Sequence, residues 1–152
     1  MAETPITQLV GILSASIAPV IVISGVGLLL LSMTNRYSRV IDRARELTRD
    51  LEGTVESERR GLIVEELQIL YRRARILRLA IILSSISILF VGLTVFSLFA
   101  AQVLRVRADY VSVPSFGLCL VALIGSLYFF IRDVSISLIA LELEILPYLK
   151  GS

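Results

Sequence analysis

Residues 28–39 read Leu28-Leu29-Leu30-Leu31-Ser32-Met33-Thr34-Asn35-Arg36-Tyr37-Ser38-Arg39, and within these twelve positions the chain changes material. Behind Arg36 no charged side chain occurs back to Thr4; ahead of it arginine recurs every few residues. The same boundary appears twice more. Residues 79–104 and 110–131 carry no charge, so the three charge-free runs hold 32, 26 and 22 residues. A bilayer core about 30 Å thick needs roughly 20 apolar residues in helical form. Hydrophobic residues make up 56% of the 152-residue chain, charged ones 18%, and the mean hydropathy is +0.85. A soluble core of that size cannot hide so much apolar surface. The reading is an all-α integral membrane protein with three transmembrane helices.

The stretch between the first two runs is built differently. Residues 36–78 hold eleven arginines and eight carboxylates, a surplus of three positive charges. Tyr37, Val40, Ala44, Leu47 and Leu51 recur at 3-4 spacing, as do Ile63, Leu67, Leu70, Ala74, Leu77 and Ile81. Both are heptad seams. Gly53 and Gly61 bracket a polar stretch that suits a turn and a helix start. Helices one and two are therefore predicted to extend beyond the membrane as an antiparallel helical hairpin. About 15 residues per arm at about 1.5 Å each give a length of roughly 22 Å.

The segments follow: 1–35, an extracytoplasmic N-terminus and first transmembrane helix; 36–78, a cytoplasmic arginine-rich hairpin; 79–104, the second transmembrane helix; 105–112, a short extracytoplasmic loop. Then come 113–131, the third transmembrane helix, and 132–152, a cytoplasmic C-terminal helix and tail. Within 134–146 the Val-Ser-Ile-Ser alternation suits a strand, while Leu138, Leu141 and Ile145 suit a helix. With helices all around it a helix is favoured, and Pro147 is expected to stop it. Pro114 is expected near the start of the third span, where a helix tolerates proline.

Orientation comes from the arginine and lysine count. The 36–78 segment together with Arg132 and Lys150 carries thirteen, against two, Arg105 and Arg107, on the other side. Inside loops carry that excess, so the hairpin and C-terminus are expected in the cytoplasm and the N-terminus outside. Signal peptides open with positive charge and have a shorter apolar region; the first span is expected to be retained.

Much chemistry is excluded. There is no histidine, no Gly-rich phosphate loop, no Gly-x-Ser-x-Gly elbow and no His-Glu pair. Cys119 is the only cysteine, so neither an intrachain disulfide nor a Cys-x-x-Cys site can form. No enzyme activity, cofactor or metal is predicted. Acids interleave with the arginines and no stacking aromatics accompany them, which argues against nucleic acid. Anionic lipid at the cytoplasmic face is the expected contact.

Candidate positions fall into three groups. Gly11, Ala15, Ala18 and Pro19 suit helix packing, because small residues let helices approach closely in lipid and proline frees a carbonyl. Ser14, Ser24, Ser32, Asn35 and Arg36 form the weakly polar side of span one and are the candidate pore lining. Arg132 and Asp133 form a juxtamembrane charged pair. It reads either as a snorkelling arginine beside a carboxylate or as a buried or pore-facing group that engages Asn35, Arg36 or Arg39. Along span two, Ser84, Ser87, Val91, Thr94, Leu98 and Ala101 share one face at 3-4 spacing and are expected to pack between helices, with pore lining as the alternative.

A resemblance joins these motifs. Ser14-Ala15-Ser16-Ile17-Ala18-Pro19-Val20, Ser24-Gly25-Val26-Gly27 and Leu28 through Arg36 resemble a family of small bacterial membrane proteins known as domain of unknown function 2721. Arg39-x-x-Asp42-Arg43-x-Arg45 and Arg132-Asp133-Val134-Ser135 match as well. The resemblance implies a bacterial cytoplasmic (inner) membrane and three spans, and carries no activity with it. Two functions stay open: a homo-oligomer that conducts an ion or small solute, and a structural or regulatory adaptor whose hairpin binds a partner protein.

Overall fold

The computed structural model describes the backbone of residues 5–53, 57–104 and 109–149; side chains are described for Ile17 and for 20–53, 58–101 and 110–137. The described residues form three helices, α1 (Pro5–Gly53), α2 (Ser57–Leu104) and α3 (Asp109–Leu149), with no strand among them. Each is long and apolar enough to cross a membrane, which makes this a multi-pass membrane architecture. Helix is the form expected there, since lipid offers no partner to an unpaired backbone group.

Residues 134–146 belong to α3, the helix favoured from Leu138, Leu141 and Ile145 over the short alternation. Two expectations about helix ends are corrected. Pro147 does not stop the helix, which ends at Leu149. Proline lacks an N–H, yet so close to the C-terminus it removes a single bond to an earlier carbonyl. At the other end α3 begins at Asp109 rather than 113, taking in part of the predicted loop and setting Pro114 in the second turn. The N-terminal side loses only the donor that proline lacks. Gly61 likewise lies inside α2, four residues past its start at Ser57, where Glu58 complements the helix dipole.

The chain divides into two units, one of residues 1–31 with 83–124, the other of 32–82 with 125–152. In the first, small and hydroxyl side chains point inward. Ser84, Ser87, Val91 and Thr94 of α2 and Ser112, Ser115, Cys119 and Ala122 of α3 are buried. Ser97 Oγ and Ser112 Oγ lie 2.8 Å apart, and Ser87 Oγ lies 3.3 Å from Cys119 Sγ. Thr94 donates to the Phe90 carbonyl of its own helix at 2.8 Å. Bulky side chains face outward instead: Ile17, Ile21 and Leu28 of α1, Leu89, Phe96 and Phe99 of α2, Val121 and Ile124 of α3. Small residues inside and large apolar ones outside suit helices packed in lipid.

In the second unit the two seams make one core. Val40 and Leu47 of α1 cluster with Ile63, Leu70, Ala74 and Leu77 of α2; Tyr37, Ala44, Leu51 and Leu67 pack against them. Opposite chain sense is visible in the polar contacts. Arg43 reaches Glu66, whereas Arg36, seven residues earlier, shares a carboxylate with Arg73, seven residues later. One heptad on each arm thus returns the same neighbours.

Candidate functional site

Asp133 follows the charge-free run of α3 by one residue and is fully buried. A lone carboxylate in that position would be costly, since burial removes the water that stabilises its charge. Two guanidiniums offset the cost. Arg36 of α1 donates from Nη1 to Oδ2 at 3.3 Å, and Arg73 of α2 donates from Nε to Oδ1 at 3.4 Å. Both carboxylate oxygens are occupied, and one residue from each helix meets at one point. The contacts are single and long for charge-assisted bonds, so this is a pivot rather than a bidentate fork.

The helix faces explain the convergence. On α3, Phe130, Asp133 and Ser137 recur at 3-4 spacing and share one side. The Arg36 guanidinium carbon stands 5.5 Å from the centre of the Phe130 ring, a cation–π distance. Arg73 donates from Nη2 to Ser137 Oγ at 3.1 Å. Two turns before Asp133, Ser126 donates to the Ala80 carbonyl at 2.8 Å with the Met33 sulfur 3.8 Å away, all three residues buried. Among the described residues no buried side-chain nitrogen or oxygen lacks a hydrogen-bond partner.

Beside this centre, Arg36, Arg39, Val40 and Arg43 of α1 and Leu70 and Arg73 of α2, with Ser137, line a cleft of about 250 Å³. Arg43 is held by Glu46 at 3.0 Å and Glu66 at 3.2 Å. Its pKa is raised, chiefly by the hydrogen bond to Glu46 and then by the charge of Glu66. Arg39 donates from Nε to the Asn35 carbonyl at 3.3 Å and pairs with no carboxylate among the described residues.

The sequence-predicted positions fall unevenly around this geometry. Arg36 and Asp133 come together; Arg132, the supposed partner of Asp133, is exposed and forms no ion pair among the described residues. Ser24, Ser32 and Asn35 are exposed, the Ser24 hydroxyl turned back to the Val20 carbonyl at 3.0 Å. Gly11, Ser14, Ala15, Ala18 and Pro19 lie in α1, but their side chains fall outside the described residues. Arg73 was invisible as a site residue because eleven arginines crowd its segment. One signal could have found it: it sits between the seam positions Leu70 and Ala74, on the flank a third helix would cover.

A family model described as a protein of unknown function (DUF2721) matches residues 16–143. No curated protein and no solved structure matches the chain.

Proposed function

The chain belongs to that DUF2721 family, and from its surface we propose a homo-oligomeric membrane protein with a structural or regulatory role, working through its charged helical arms. One observation carries this reading. In the charged segment of α2, Leu62 and Ile69 are 65% and 43% exposed, and Val64 and Tyr71 are 42% and 72% exposed. Each pair is one heptad apart, and the two pairs flank the seam on opposite sides. Residues 36–53 of α1 expose no large apolar side chain among those described. Apolar flanks in an arginine-rich segment are poorly placed to face lipid tails, and exposed stripes of this kind mark protein contacts.

A second copy is the occupant we favour. Copies in one bilayer share an orientation, so each presents the same stripe at the same depth, and closed rotational symmetry can then cover all of them. The arginine count supports a cytoplasmic position for these arms. Full-length protein in uncharged detergent tests the reading by mass photometry. Leu62→Asp combined with Ile69→Asp should move the particles from oligomer to monomer with helix content unchanged. A monomeric wild type, or an unchanged oligomer in the double variant, defeats it.

A conducting pathway is the second reading, and the exposure of Ser24, Ser32 and Asn35 favours it. The hydroxyls of Ser87 and Ser97 in α2 and of Ser112 and Ser126 in α3 are spent on packing, so a pathway would form between copies along α1. Planar-bilayer recordings should then show a current that Ser24→Leu reduces; silence at all voltages removes this reading.

A further inference from the structure

The arginine cleft beside Asp133 invites a ligand of its own. Four guanidiniums, those of Arg36, Arg39, Arg43 and Arg73, line it. Three carboxylates hold three of them: Asp133 takes Arg36 and Arg73, while Glu46 and Glu66 take Arg43. Four against three leaves one positive charge in surplus, and Arg39 carries it. The Nη groups of Arg39 make no hydrogen bond among the described residues, so its planar fork is free to meet an oxyanion. Arg43 and its two acids are about half exposed, at 50%, 64% and 46%. Exposed pairs of this kind contribute little and are readily exchanged. Ser137 accepts from Arg73 and keeps its own proton to donate. The cavity of about 250 Å³ equals roughly eight waters.

We infer that this cleft binds the headgroup of an anionic phospholipid, with the phosphate diester on Arg39 and its neighbours. Two facts favour a lipid over a soluble phosphate. First, a surplus of one charge matches a diester, which carries a single negative charge, better than a dianionic monoester. Second, the cleft lies at the depth of headgroups. Arg36 is the first charged residue after the 32-residue charge-free run, and Arg73 precedes the 79–104 run by less than two helical turns. Val40 and Leu70 add apolar walls for the glycerol end.

The test uses full-length protein in uncharged detergent at fixed ionic strength, with unfolding followed by circular dichroism. Phosphatidylglycerol should raise the unfolding temperature saturably, whereas phosphatidylcholine, inorganic phosphate and adenosine monophosphate at equal concentration should not. Arg39→Gln removes no hydrogen bond or ion pair to another helix among the described residues, so the fold survives. Half-saturation by phosphatidylglycerol should weaken about tenfold, the effect of losing one hydrogen bond to a charged group. Arg132→Gln, which removes an exposed arginine outside the cleft, should bind as wild type. The proposal is overturned if phosphatidylglycerol has no saturable effect, if Arg39→Gln and Arg132→Gln respond alike, or if inorganic phosphate or adenosine monophosphate stabilises equally.

Discussion

Asp133 of α3 and Arg36 of α1 meet at 3.3 Å across 97 residues of sequence. That contact, completed by Arg73, links all three helices through one buried carboxylate, and the cleft of four arginines opens beside it. A buried ion pair is weak evidence for net stability, because desolvation consumes much of the attraction. It is strong evidence for register. A one-turn slip of any helix would strand the charge.

Removing the carboxylate should therefore be costly. Asp133→Asn keeps the volume but leaves two guanidiniums without counter-charge. The expected loss is about 3 kcal/mol, at the low end for buried pairs because the Arg36 side chain remains 35% exposed. Arg132→Asn, at an exposed position one residue away, should change stability by less than about 0.5 kcal/mol. Equal losses in urea unfolding would mean that Asp133 contributes bulk, not charge.

The seam gives a second prediction. Leu47 is 4% and Leu70 7% exposed, both in the shared apolar core of the arms. Leu47→Asp would bury an unpaired charge in that core and should cost at least about 3 kcal/mol, beyond the usual range for one substitution. Leu70→Asp buries a charge too, but Leu70 is also a wall of the arginine cleft, so the guanidiniums there offset part of the cost and the loss should be smaller. Exposed Glu58→Ala, at the start of α2, should cost only tenths of that. Three equal shifts in thermal unfolding would dismiss the seam.

Much of this was legible in the sequence because the signals were periodic or blocked. Three charge-free runs gave three helices, and the 3-4 spacing from Tyr37 and from Ile63 gave the core of the arms. What the sequence hid was pairing at long range. Arg132 stands next to Asp133 in the chain, yet successive residues on a helix point about 100° apart, so neighbours in sequence were poor partners in space. Arg73 could not be singled out among its like-charged neighbours. Proline was over-read at the C-terminal end of α3, where Pro147 lies close to the last turn and its missing donor costs little.

Cys119 yields a third prediction, on packing. Its side chain is fully buried with Sγ 3.3 Å from Ser87 Oγ. Cys119→Ser nearly preserves volume and offers a hydroxyl to the same partner, so the cost should stay below about 1 kcal/mol. Cys119→Leu must find room where α2 and α3 approach through small residues, and should cost about 1–3 kcal/mol. A tolerated leucine would show the two helices to be loosely packed at this level.

The last prediction concerns sidedness, and the Cys119→Ser variant supplies its background because no other cysteine exists. Thirteen arginines and lysines lie in 36–78 and after residue 131, against Arg105 and Arg107 between the second and third charge-free runs. During insertion the side richer in basic residues is retained, and acids count for little, so the eight carboxylates of the arms do not cancel the bias. Single cysteines at Gly53 or Ser57 should be shielded from a membrane-impermeant maleimide in intact cells and react once the membrane is opened. A cysteine at Ala108 should react in intact cells. Reversed labelling would put the arms outside, and the lipid cleft would then face the outer leaflet. Labelling at all three positions in intact cells would mean that the charge-free runs do not separate two compartments.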